Sequence, residues 1–384
     1  MASFKLVVKN YRCFSDSTPL VFELRPGFTG LVGPNNTGKS TLLRFFYEFR
    51  DLFRFFETES HIGIGENTTS LQGAGDWNEI FHNQNRRDIT INIEDLAPQA
   101  GEVQSIDISL SRALPNSFKA SYIGKLQDSG AVIPIRRLNP GLYALENNAT
   151  VNVASKRFAN LFGLLANSLY VGPFRNAINQ GAGSYFDLAI GTSFIEVWNN
   201  WKNGDTLSQN QAIQSITEDI KHIFDFKTLE INPSNDRKTL KIIVDGSHYG
   251  LKELGAGIAQ FIIVLGNLAT RKPRLLLVDE PELNLHPSLQ SDFLTTLASY
   301  TQDAVIFATH SIGLARVMSD SLYTFKKINH VATVRPFAQT PNYAEFLGEM
   351  SFSSFSRPST INDQSSLAAR SSLVPARRGR GQGA

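Results

Sequence analysis

Apolar and polar residues alternate over residues 4–8, the period-two pattern of a strand with one buried face, and again over 20–24. A third strand is expected over 29–32, running directly into a glycine-rich turn. Beyond that turn Leu42, Leu43, Phe46 and Phe49 fall on one broad helical face, which predicts a helix over 40–56. Residues 57–80 are rich in Gly, Ser and Thr and read as a loop. Short alternating stretches at 89–93, 106–110 and 143–153 predict a mostly antiparallel lobe over 88–153. Residues 155–225 have helical spacing, interrupted at 169–173, and strands at 229–231 and 240–244 flank a turn at Pro233-Ser234-Asn235-Asp236. From Gly255 the pattern alternates: helix to about 269, strand 274–278, helix from Pro287, strand 305–308, helix from Ile312. Strands alternating with helices predict a parallel sheet covered on both faces, hence an α/β fold carrying an antiparallel β lobe and a helical insertion.

Composition narrows this picture. The chain has 384 residues, 42% of them hydrophobic and 19% charged, enough for a folded protein with a real core. Its one cysteine, Cys13, excludes an internal disulfide and a cysteine-held zinc. No apolar stretch approaches the roughly 20 residues that span a bilayer, and residues 1–5 lack the pattern of a secretory signal. A cytoplasmic protein without membrane contact is therefore expected. The formal net charge is +2, but five arginines and one aspartate lie from Arg357 onward, so residues 1–356 carry −2. The basic character belongs to the end of the chain and gives no basic face for nucleic acid on the body. From about 353 onward the chain is rich in Ser, Arg, Gly and Pro, and a disordered basic tail is expected over 353–384.

Four segments carry chemistry. Gly33-Pro34-Asn35-Asn36-Thr37-Gly38-Lys39-Ser40-Thr41 matches G-x-x-x-x-G-K-[ST] between an expected strand and helix. Such a loop curls its backbone N–H groups around a β-phosphate while the helix N-terminus adds a positive dipole end. Lys39 would reach the β- and γ-phosphates of ATP and Ser40 would ligate Mg²⁺. The plainer alternative, a glycine turn with an incidental lysine, does not account for the flanking elements. Second, the apolar run 274–278 ends in Asp279-Glu280: Asp279 stands where a nucleotide-binding protein holds Mg²⁺, and Glu280 where it would orient or deprotonate the attacking water. Third, the apolar run 305–308 ends in Thr309-His310, placing His310 at the end of the sheet where open α/β folds bind ligands. Fourth, Gly255-Ala256-Gly257 opens an apolar helix whose first N–H groups are free for a second phosphate or a second subunit, unless it is a plain helix start. These readings require that Lys39 and Asp279 come together at the ends of adjacent strands.

The order of these segments resembles the ABC class of ATPases. The stretch Asp279-Glu280-Pro281-Glu282-Leu283-Asn284-Leu285-His286-Pro287 resembles the AAA-type ATPases of the OLD (overcoming lysogenization defect) family and its phage-defence relatives. So do Gly255-Ala256-Gly257, Tyr170-Val171-Gly172-Pro173-Phe174-Arg175 and Phe346-Leu347-Gly348-Glu349-Met350-Ser351-Phe352. The resemblance implies a head over residues 1–352, made of a phosphate-loop half (1–56), a β lobe (88–153), a helical insertion (155–225) and a signature and acidic-strand half (229–352). It also implies a homodimer in which two heads sandwich ATP, with Gly255, Ala256 and Gly257 acting in trans. Gln72, Gln84, Gln99 and Gln104 are then the candidates for a metal-sensing loop glutamine.

OLD-like proteins usually continue into a Toprim nuclease domain, whose Glu-Gly and Asp-x-Asp elements do not follow Phe352 here. Two-metal hydrolysis needs a cluster of carboxylates, so this chain is expected to hydrolyse ATP without cutting DNA itself. A separate nuclease subunit or a truncated longer gene would complete the picture. The alternative reading is an ATP-gated DNA clamp of RecF-like or SMC-like type. Among weaker signals, Arg175 stands open between a nucleotide or DNA contact and a surface ion pair, and Trp198 and Trp201 read as packing rather than base-stacking residues.

Overall fold

A computed structural model of the chain describes residues 3–58, 67–98, 103–125, 132–139, 142–145, 153–154, 156–173 and 183–339. Its centre is a six-stranded sheet in the order Ser168–Val171, Leu275–Asp279, Ala304–Thr309, Gly27–Val32, Ser321–Ile328, Val331–Pro336. The first five strands are parallel and the last pairs antiparallel with its neighbour. The strands that precede Lys39 and Glu280 are thus not adjacent, as the sequence reading required. Ala304–Thr309 lies between them, with Thr309 opposite Val32 and Ala308 opposite Asp279. The ends of the strands that lead to Lys39, His310 and Glu280 therefore lie side by side in that order.

The predicted central strands are buried on both faces, as a helix-covered parallel sheet requires. Successive side chains point to opposite faces, and the core divides accordingly. Leu275, Leu277, Ala304, Ile306 and Ala308 enter one apolar cluster with Leu42, Phe45 and Phe46 of the helix Lys39–Glu48. Leu276, Val278, Val305 and Phe307 enter the other, with Phe261, Ile262 and Leu265 of the helix Ala256–Arg271 and with Phe293 and Leu294 of Pro287–Ser299. The helix Ala256–Arg271 buries every residue from Ala259 to Ala269, which explains its lack of a polar face in sequence.

The nine-stranded second sheet is the expected antiparallel lobe, but it also recruits the two N-terminal strands. Phe4–Lys9 pairs with both Leu20–Leu24 and Ile89–Asp95, and the sheet continues through Val103–Leu110, Ser117–Lys125, Val132–Asn139, Leu142–Leu145 and Val153–Ala154. Asn67–Thr68, within the expected loop, pairs with Ser117–Lys125. Asp95, inward-facing at the end of its strand, is paired by Arg157 at 2.6 Å from the helix Lys156–Ala166.

The helix expected over 40–56 is two helices, Lys39–Glu48 and Arg50–Thr58, joined at Phe49. The second packs on Lys156–Ala166, where Phe56 stacks on Phe162 with centroids 4.9 Å apart. In the predicted helical insertion, the interruption at 169–173 is an edge strand of the central sheet, followed by the hairpin Gly183–Tyr185/Leu188–Ile190 and the helices Gly191–Asn203 and Leu207–Ile223. The two strands after Ile312–Met318 were not foreseen, because their polar and charged residues hide the alternation. The strands around 229–244 form a three-stranded sheet with Ser247–Gly250. Among the described residues no helix is long and apolar enough to cross a membrane. The tail 353–384, the stretch 346–352, Phe174, Arg175 and Gln99 lie outside the described residues.

Candidate functional site

The turn after Gly27–Val32 is built on two glycines that no other residue could replace. A side chain at Gly33 would begin 2.5 Å from the Phe325 carbonyl oxygen, because the strand Ser321–Ile328 passes directly behind the loop. Gly38 holds φ at +105° at the N-cap of Lys39–Glu48, where an L side chain would be strained, and it is hemmed in by Cys13, Phe14 and Ala332. The helix has no side-chain cap, so its first N–H groups face the concavity.

That concavity is a cavity of about 240 Å³ lined by Asn35, Asn36, Thr37, Gly38, Lys39, Ser40, Thr41, Arg44, Glu280 and His310. The volume lies below the usual range of sites that engulf a whole organic ligand and suits a polyphosphate chain. Lys39 is buried, and its ammonium donates to the carbonyl oxygens of Gly33 at 2.7 Å and Pro34 at 2.8 Å. Burial lowers its pKa to about 8, opposed by the charges of Asp279, Glu280 and Glu282. His310 Nε2 lies 3.4 Å from Lys39 Nζ and 3.5 Å from Glu280 Oε1. Lys39, Glu280 and His310 therefore converge from three different strand ends.

Glu280 is in the left-handed region at φ 53°, an uncommon conformation for a residue with a Cβ, and its N–H donates to the Ala308 carbonyl at 2.8 Å. This strained turn directs the chain out of the sheet immediately after Asp279. Asp279 lies behind the cavity wall, 3% exposed, with Tyr170 Oη donating to its Oδ2 at 3.1 Å. Burial raises its carboxyl pKa, and the nearby Ser40 hydroxyl works in the opposite direction. Its second oxygen, Oδ1, is buried with no hydrogen-bond partner. An orphaned anionic oxygen beside a hydroxyl suits a hard divalent cation, whose remaining positions would come from water and phosphate oxygens. Among the described residues no group of three or more His, Cys, Asp or Glu is placed to hold a metal ion by itself.

Gly255, Ala256 and Gly257 do not line the cavity. Gly255 and Ala256 are exposed at the start of Ala256–Arg271, and this helix too lacks a side-chain cap. Gly257 is required for packing: its Cβ would fall 2.9 Å from the Asn284 carbonyl oxygen in the turn after Glu280. None of the described candidate glutamines reaches the cavity either. Gln72 is held by Arg50 and Asp51, Gln84 is exposed and donates to the Asn329 carbonyl, and Gln104 belongs to Val103–Leu110 in the lobe. Trp198 is 1% exposed and packs on Phe194 at 5.8 Å, while Trp201 packs against the same core.

Sequence reasoning did not single out three residues at the site. Arg44 lines the cavity one turn beyond Ser40 on the same helix face, a spacing that a helical wheel would have shown. Glu282 accepts from the His310 N–H at 2.7 Å and so fixes the end of the neighbouring strand. Tyr170 comes from the far edge of the sheet; it opens the Tyr170–Arg175 stretch that resembles the OLD family, but nothing in that stretch points to Asp279.

A phosphate loop, an acidic pair and a histidine thus stand together at the carboxyl ends of a parallel sheet, the arrangement of a P-loop nucleotide-binding domain. Residues 3–127 and 186–315 match the family model described as AAA ATPase domain, and the chain belongs to that family. No curated protein matches the sequence. Among solved structures, an SMC head domain from Thermotoga maritima is similar at 14% identity, covering 88% of this chain and 99% of that one, with a TM-score of 0.43. An Smc head bound to the C-winged helix domain of ScpA gives 12% identity, 87% and 97% coverage and a TM-score of 0.49. An Smc head domain with an extended coiled coil, bound to the C-terminal domain of ScpA derived from Pyrococcus furiosus, gives 10%, 87%, 95% and 0.41.

Proposed function

We propose that the chain binds ATP with Mg²⁺ in the cavity at Lys39 and hydrolyses it, and that ATP cements two heads together. The convergence of Lys39, Glu280 and His310 within 3.5 Å steps around a phosphate-sized cavity carries this reading. The N–H groups of residues 35–41 would take phosphate oxygens, and Lys39 would exchange its two loop carbonyls for them. Ser40 and Asp279 would hold the cation, which neutralises charge on the β- and γ-phosphate oxygens when bound. Glu280 would orient and deprotonate the attacking water, and His310, between Lys39 and Glu280, would contact the γ-phosphate and that water.

The exposed turn Gly255-Ala256-Gly257 supports the dimer, because it offers free helix N–H groups to a phosphate that this chain's own loop does not hold. Control of a DNA-acting or nuclease partner, in the manner of OLD-like phage-defence ATPases, is the output we propose from the Asp279–Pro287 stretch and the Gly-Ala-Gly turn. The test is Glu280→Gln, which spares binding while slowing hydrolysis by about 10²–10⁴-fold. With Mg-ATP this variant should form a dimer that persists in light scattering, and a monomer under those conditions would refute the sandwich. Tight ATP-dependent binding of duplex DNA without any partner would favour the clamp reading over control of a nuclease.

A further inference from the structure

We infer that Tyr170 is a positioning residue for Asp279, set at its depth in the sheet by the buried Arg50–Asp187 ion pair. The inference rests on the reading of Asp279 as the carboxylate that holds the cation. Tyr170 is fully buried on the edge strand Ser168–Val171, with its backbone opposite Leu277, two residues before Asp279 on the neighbouring strand. Its hydroxyl donates to Asp279 Oδ2, which leaves only Oδ1, buried and unpartnered, for another ligand. The guanidinium of Arg44, in the cavity wall, acts electrostatically on the same phenol, so Tyr170 stands between the wall and the carboxylate behind it.

Three contacts keep the phenol in place. Tyr47 and Phe186 pack against its ring at 5.6 and 4.7 Å. The Tyr170 N–H donates to Asp187 Oδ2 at 2.7 Å. Asp187 is clamped in turn by Arg50, whose two terminal nitrogens donate to its two oxygens at 2.8 and 2.6 Å while Nε reaches Ser168 Oγ at 3.2 Å. Arg50 begins the helix that follows the phosphate-loop helix, separated from it only by Phe49. The clamp therefore ties the edge strand to the helix that directly follows the one carrying Lys39 and Ser40. A bidentate, buried arginine–carboxylate pair has a fixed geometry, which is the property a positioning device needs.

Removing such a partner of a metal ligand typically lowers metal affinity by about 10–100-fold. Tyr170→Phe deletes one oxygen and keeps the ring packing. The probe is Mn²⁺, measured by electron paramagnetic resonance on the full chain with a non-hydrolysable ATP analogue, beside metal-free binding of the analogue and the melting temperature. We expect Mn²⁺ affinity to fall about tenfold, with metal-free nucleotide binding unchanged and melting within a few degrees of the parent. Asp279→Asn is the control and should lose more. Wild-type Mn²⁺ affinity in Asp279→Asn would refute the cation reading and this inference with it. Loss in Asp279→Asn with wild-type affinity in Tyr170→Phe would overturn the positioning role alone. Equal loss of metal-free nucleotide binding and of Mn²⁺ in Tyr170→Phe would also overturn it, because only general damage to the site moves both.

Discussion

Two helices of this molecule begin at glycines with no side-chain cap and differ in what surrounds their first turn. Lys39–Glu48 and Ala256–Arg271 both start at a glycine N-cap, neither has a side-chain cap, and neither has an acidic residue in its first turn. The first opens into a cavity whose lysine is already bound by two carbonyls and whose rim carries Glu280 and His310. The second opens onto the surface, with nothing near the Cβ position of Gly255. The same local physics, free N–H groups and a positive dipole end, thus faces an enclosed cavity in one place and open surface in the other. Helix chemistry supplies affinity for an anion, and only the neighbours decide whether one chain can use it.

Three experiments sharpen or break that contrast, besides the Glu280→Gln test. The largest effect should come from Lys39→Ala, which removes the ammonium from the first site. The loss of a charged donor predicts ATP binding weaker by about 10–100-fold in calorimetry, and an unchanged affinity would contradict the phosphate loop. Next is Ala256→Asp at the second helix. An acid in the first turn favours the helix itself but repels a phosphate presented from outside. Turnover should drop about tenfold or more from like-charge opposition, while ATP binding by the single chain stays at the parent value. If turnover were unaffected, the exposed turn would be a plain helix start.

The smallest effect is in pH. Lys39 has a folded pKa of about 8, lowered by burial from its ordinary 10.5. Between these values the unfolded chain binds more protons than the folded one, so this group makes stability rise with pH across that window. Below about pH 8 both states are protonated and the destabilisation is present in full. Melting curves from pH 8 to 10 should show this rise in the parent relative to Lys39→Met, which lacks it. ATP affinity should move the other way, weakening as pH passes about 8 and the ammonium is lost, whereas the second helix has no such group in its first turn.

Local signals made much of the site legible. Gly33, Gly38, Lys39 and Ser40 form one continuous motif, because a phosphate loop is made by adjacent residues whose backbone does the binding. Asp279-Glu280 and Thr309-His310 could be read because a wholly apolar strand that stops in polar residues marks the end of a buried sheet. Arg44 was within reach of the same reasoning and was missed. Tyr170 was not: it meets Asp279 only because the strand after Lys156–Ala166 joins the edge of the central sheet, 109 positions away in sequence. The buried pair of Arg50 and Asp187, 137 positions apart, was invisible for the same reason.

By itself, then, the sequence determined the phosphate-loop motif and which apolar strands stop in polar residues, since periodicity and phosphate loops are short-range patterns. Only the tertiary structure decided strand order, with Ala304–Thr309 between the strands that lead to Lys39 and Glu280, and the pairing of the N-terminal strands with the lobe. It also decided which of two alike helix ends is enclosed. Strand order and enclosure follow from how distant apolar faces pack against one another, and no window of neighbouring residues contains that information.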